Sequence, residues 1–129
     1  MTHLCVEFQW RAVGEVHLED GKVRFPALLE SAGAVSREVG EAMAEGVRNR
    51  LRTGLGVAVT GIAGPGAEGT SKPVGLTYVA VASDGHVASR EFNFSGDRAA
   101  IRRQAAIEAL RLLIDEARRL RQARKVKSA

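Results

Sequence analysis

Between Val57 and Val74 the chain reads VAVTGIAGPGAEGTSKPV, a short apolar run feeding a loop that holds five glycines between Gly61 and Gly75. No other stretch restricts the fold as strongly. An apolar, β-branched run of this length fits a strand inside a sheet, and Gly56 to Ile62 is expected to be a central strand covered on both faces. Glycine accepts φ > 0 and has no Cβ, so the loop that follows can fold tightly and turn bare N–H groups toward a carboxylate, amide or phosphate. Thr60 would emerge at the strand's end, where α/β proteins usually hold ligands.

Two common phosphate-binding patterns fail on context. Gly64 to Gly69 spells G-x-G-x-x-G after the strand, but a dinucleotide site needs those glycines to open a helix. Here Pro73 and a β-rich run from Val74 to Ala82 follow. A P-loop needs Gly-Lys-Ser/Thr after its spacer, and Gly69 is followed by Thr70 and Ser71.

The rest of the chain reads as alternating elements. Leu4, Val6, Phe8 and Trp10 alternate with polar residues as in a half-buried strand. Glu19-Asp20-Gly21 is a turn signal inside Val13 to Phe25, which predicts a hairpin. Ser36 is a suitable N-cap for a helix over about 37–52, with Val39, Met43, Val47 and Leu51 on one face and Thr53-Gly54 ending it. Ser83-Asp84-Gly85 joins Gly75 to Ala82 and Val87 to Phe94 as an antiparallel hairpin. A last helix spans about 97–124, with Ile101, Ala105, Leu112, Leu113, Ala117 and Leu120 as its buried candidates. These elements predict a single-domain, three-layer α/β/α sandwich with a mixed parallel/antiparallel sheet.

At 129 residues one core is expected, and 45% hydrophobic with 26% charged residues is an ordinary globular balance. The single cysteine, Cys5, excludes an internal disulfide and suits a reducing compartment. The longest apolar-leaning run, Val74 to Ala82, is too short to span a bilayer, so a cytoplasmic location without membrane attachment is expected. The net charge of +4 resides in Arg118, Arg119, Arg121, Arg124, Lys125 and Lys127. Basic residues at a helix end complement its dipole, and no aromatic residue is interleaved there to stack on bases, so nucleic acid is not the expected partner.

Four motifs in order give the chain a resemblance. Gly33-Ala34-Val35-Ser36, Thr60 to Gly66, Lys72 to Gly75, and Phe94 to Arg98 followed by Ile101-Arg102 resemble the C-terminal domain of the CinA (competence/damage-inducible) family, over roughly residues 30–120. The stand-alone form of that domain is a nicotinamide mononucleotide deamidase. The resemblance implies the same α/β/α fold, a pyridine nucleotide as small-molecule ligand, no cofactor or metal, and amide hydrolysis through a serine nucleophile. It marks residues 1–124 as the domain, with 1–29 diverging from the family and 125–129 a basic tail. The family serine motif A-E-S-C-T-G-G is absent, and the segment carrying it would precede Met1. Two readings follow: a domain that hydrolyses or binds nicotinamide mononucleotide, or a catalytically inactive nucleotide-binding or oligomerisation module. Loss of a family strand would leave a sheet edge for a second copy to cover, so a homo-oligomer is expected.

The resemblance also selects residues. Thr60, Gly61 and Gly64 are the substrate-binding candidates, although Thr60 could instead cap its own turn and Gly64 could simply shape the loop. Arg102 aligns with a phosphate-facing arginine, against a surface role. Lys22 falls on the family's catalytic lysine, as base or phosphate contact, or else is a turn residue after Asp20-Gly21; His17 falls on the family's tyrosine. A His3, Cys5 and His17 metal site has only one local pair of ligands.

Overall fold

The structure, a computed structural model, describes residues 31–66 and 71–128, together with the backbone of two short strands at 17–19 and 22–24. Those two, β1 (His17–Glu19) and β2 (Lys22–Arg24), pair antiparallel with Glu19 opposite Lys22, as the expected hairpin requires. The expected strand at Leu4 to Trp10 lies outside the described residues, as do His3 and Cys5.

Helix α1 (Arg37–Leu51) begins where the sequence signals it: Ser36 is extended, and its hydroxyl accepts from the Val39 N–H at 3.3 Å while donating to the Gly33 carbonyl at 2.9 Å. The helix ends on Arg52 in the left-handed region, φ 52° and ψ 47°, its N–H donating to the Arg48 carbonyl. An L-residue there is strained by contact of its Cβ with the backbone, and glycine is not. Arg52→Gly is therefore expected to stabilise the fold by about 0.5–1 kcal/mol, read as a higher urea midpoint at unchanged m-value.

Strands β3 (Gly56–Gly61), β4 (Leu76–Ser83) and β5 (His86–Asn93) form an antiparallel sheet in the order β3-β4-β5. Among the described residues every strand pair is antiparallel, so the parallel pairing expected of a mixed sheet is not among them. The central strand of the three is β4, not the expected Gly56 to Ile62. Only β4 is buried along almost its whole length, whereas β3 alternates, with Gly56, Ala58 and Thr60 buried and Val57 36% exposed. Six of the eight residues of β4 are hydrophobic against three of the six in β3, so the more apolar run is the one that is buried.

The helices lie on opposite faces, which completes the α/β/α sandwich. Val39, Met43 and Ala44 of α1 pack on Ala58, Ala80 and Ala82, a face of small side chains that lets the helix approach closely. On the other face Leu112 of α2 (Arg98–Ser128) packs on Val79 and Val81. Asp97 caps α2 by accepting from the Ala100 N–H at 2.8 Å. The helix continues four residues past the expected Arg124. Of its expected core positions, Ile101, Ala105 and Leu112 are buried, while Ala117 is exposed and the carboxylate of Glu116 is buried in the neighbouring position. No described helix is long and apolar enough to cross a membrane.

Candidate functional site

The four motifs, spread along the chain from Gly33 to Arg102, meet at one end of the sheet. The Thr60 hydroxyl, 5% exposed, donates to the Ala34 carbonyl at 2.6 Å, tying the end of β3 to the turn that opens α1. Lys72 ties the same turn from the far side of the glycine loop: its Nζ donates to the Ala32 carbonyl at 3.0 Å and also to that of Val35. The ladder continues past β3, with Ile62 N–H donating to the Leu76 carbonyl and Gly75 N–H to the Ile62 carbonyl. Ile62 and Gly75, the two ends of the glycine-rich segment, are therefore held together.

Gly64 turns the loop with φ +79°, and a Cβ there would come within 2.7 Å of Val74 Cγ1. Its carbonyl accepts from Arg98 Nη1 at 2.9 Å, so the first residue of α2 latches the loop. Gly61 closes β3 opposite Thr77. Arg102, one turn after Arg98, and its neighbour Arg103 are exposed at the same helix end. The first turn of α2 holds no acidic side chain. The Asp97 carboxylate that caps the helix already offsets part of this positive charge, and three arginines beside one carboxylate leave the N-terminus next to the glycine-rich loop suited to a further anion.

Lys22 lies in β2, opposite Glu19. Lys72 and Arg98, which the sequence reading held only as parts of motifs, are the side chains that bring the motifs together. Proximity of Lys72 to Pro73 and of Arg98 to the cap Asp97 were the available signals, and neither says which backbone carbonyl, 34–40 residues away, accepts from these side chains. Beside Thr60 in the ladder, burial and then the Glu91 carboxylate push the Tyr78 phenol up from its ordinary value. Its ring carries the Arg37 guanidinium at 5.8 Å.

The half-buried and buried serines have other tasks: Ser36 caps α1, Ser83 donates to Glu116 at 2.6 Å, and Ser89 donates to Glu41 at 2.6 Å. Among the described residues no group of three His, Cys, Asp or Glu side chains could hold a metal.

Comparison with known proteins gives the same pattern. The family model described as the CinA C-terminal domain matches residues 24–117. A CinA-like protein of Acidobacterium capsulatum is 49% identical over 85 residues, covering 66% of this chain and 20% of the relative. A putative competence-damage inducible protein of Moorella thermoacetica is 45% identical over 98 residues, 73% of this chain and 24% of its own length. The chain thus spans about a fifth to a quarter of these relatives. Among solved structures, the competence/damage inducible protein CihA of Agrobacterium tumefaciens superposes with a TM-score of 0.65 at 41% identity, over 68% of this chain and 55% of that one. A competence or damage-inducible protein of Enterobacter asburiae gives 0.71 at 26% identity, over 85% and 64%. With its motifs assembled at one site and a family match over most of its length, the chain belongs to the CinA C-terminal domain family.

Proposed function

We propose that this domain binds a pyridine mononucleotide, nicotinamide mononucleotide in the first instance, at the Thr60–Gly66 loop. The carrying observation is the latch between Arg98 and the Gly64 carbonyl, which sets the glycine loop beside a helix N-terminus bearing Arg98, Arg102 and Arg103. That end has the charge for a phosphate, and the loop amides suit a polar oxygen. Gly61, Gly64 and Arg102 are the proposed contacts, Thr60, whose buried hydroxyl donates to Ala34, the residue that holds the binding loop in place, and Lys22 the proposed base if the amide is cut. The hydroxyls of Ser36, Ser83 and Ser89 are committed elsewhere, so hydrolysis would have to draw on an exposed serine such as Ser31 or Ser71.

Titration calorimetry with nicotinamide mononucleotide tests the reading, with ammonia release followed on the same material. Binding is expected, weakened roughly tenfold in Arg98→Ala because a charge-assisted hydrogen bond that shapes the loop is lost. Ammonia release by the purified chain would restore the amidohydrolase reading. Absence of any heat from protein with native circular dichroism would overturn the proposal.

A further inference from the structure

The far half of α2 borders a groove that takes no part in the glycine-loop site. Leu55, Ala117 and Leu120 line it with apolar surface, and Arg121, Arg124 and Lys125 line it with positive charge. It is open to solvent and holds about 790 Å³, more than a single ion fills. Its positions on α2 follow one another in steps of three and one, so they share one face of the helix. The turn between α1 and β3 supplies the other wall. There Arg48 Nε donates to the Gly54 carbonyl at 3.4 Å, and a Cβ added at Gly54 would meet nothing within 4 Å.

The positive charge exceeds what the helix ends explain. A helix dipole stabilises cations only near its last turn, which accounts for Arg48 and Arg50 in α1. Arg121 stands about two turns before the end of α2 at Ser128, beyond that reach. Arg121 and Lys125 make no ion pair among the described residues. Neither run that borders the groove, 46–56 or 117–128, contains an aspartate or a glutamate.

Charge and shape together select the occupant. A nucleic-acid backbone would satisfy the cations but leave the apolar floor without a task, and no aromatic side chain lines the groove for a base to stack on. A lipid surface takes up apolar side chains that protrude, whereas Leu55 and Leu120 are half-buried in a concavity. A small anion in so open a groove would stay largely hydrated. An acidic amphipathic helix uses both features, with its apolar face on the floor and its carboxylates against the cations. The length fits as well. Ala117 to Lys125 covers about 12 Å of α2, and anchors at i, i+3 and i+7 of a second helix cover about 10.5 Å.

We propose that this groove is a docking site for an acidic amphipathic helical segment of a partner protein, seated on Leu55, Ala117 and Leu120 and held by Arg121, Arg124 and Lys125. This proposal is independent of what the glycine loop binds. Fluorescence anisotropy of the full chain with a labelled synthetic peptide of about four turns, leucine along one face and glutamate and alanine elsewhere, tests it. Micromolar binding is expected, at least about tenfold tighter than for a shuffled peptide of the same composition or a short DNA duplex. Arg121→Glu combined with Arg124→Glu is expected to weaken it roughly tenfold, and Leu120→Gln roughly fivefold. Arg118→Glu combined with Lys127→Glu makes the same charge change on residues that do not line the groove, and is expected to stay within about threefold of wild type. The peptide comparison uses wild-type protein alone, so it remains decisive if Leu120→Gln fails to fold. Absence of binding at millimolar peptide, equal affinity for the shuffled peptide, tighter binding of the duplex, or equal losses in the two charge-reversed pairs would each overturn the proposal.

Discussion

Replacing Gly75 by alanine is expected to cost about 3–5 kcal/mol, enough to leave the domain largely unfolded or insoluble at growth temperature. Gly75 has φ +97°, and an added Cβ would stand 2.0 Å from the Phe94 carbonyl oxygen. The obstacle is backbone, which cannot swing aside as a side-chain tip could. Three strands also depend on the residue at once. Its N–H donates to Ile62 beyond the end of β3, its carbonyl accepts from the Phe94 N–H beyond the end of β5, and the Thr77 hydroxyl donates to the same carbonyl at 3.1 Å. Any shift that relieves the clash pulls on these bonds and so on the mouth of the glycine loop. A urea titration compared with Gly85→Ala separates position from composition: Gly85 also has φ +67°, but a Cβ there meets nothing within 4 Å. A loss of only about 1–2 kcal/mol, from left-handed backbone strain alone, is expected for Gly85→Ala. Equal losses at the two positions would refute the steric account.

Glu116→Gln is expected to be the next most damaging change, at about 2 kcal/mol. Glu116 is 4% exposed and accepts from Arg119 in a bidentate pair, from the Ser83 hydroxyl at 2.6 Å, and lies 3.1 Å from His86 Nδ1. The cluster clamps α2 onto the turn between β4 and β5. Hydrogen bonding from Arg119, partly opposed by burial and assisted by Ser83 and His86, holds the carboxyl down at about 2 against an ordinary 4.5. Since the folded value is the lower one, this group's contribution to stability is complete above about pH 4.5 and disappears as pH falls through about 2. Arg119 is 46% exposed, so solvent screening reduces the pH-dependent part to roughly 1–2 kcal/mol. Urea unfolding of wild type and variant should therefore diverge most near neutrality and converge toward pH 2. A gap that stays constant from pH 7 to pH 3 would assign the loss to packing instead of charge.

The two substitutions bracket the proposed site. Gly75 closes the loop end of the sheet, where the motifs meet, and Glu116 fixes the far half of α2 to the opposite end. Because Arg98 latches the loop from the first turn of α2, the seating of that helix and the shape of the loop are mechanically linked.

The amino-acid sequence by itself determined the features that depend on neighbours in the chain. Ser36 and Asp97 start the two long helices because a short side chain there satisfies an N–H three residues on. Asp84-Gly85 makes the hairpin because glycine takes its left-handed place, and the motif set from Gly33 to Arg102 marked both the family and the end of the sheet where it meets. What only the tertiary structure decided depends on residues far apart. The place of β4, and not β3, at the centre of the three described strands follows from pairing order, which an apolar run does not encode by itself. The Thr60 hydroxyl finds its acceptor 26 residues away, Arg98 reaches the glycine loop at Gly64, and a carboxylate at Glu116 occupies a position in α2 that periodicity would fill with an apolar side chain. In each case the partner that offsets desolvation of the polar group lies on another element, and only the packed fold brings the two within hydrogen-bonding distance.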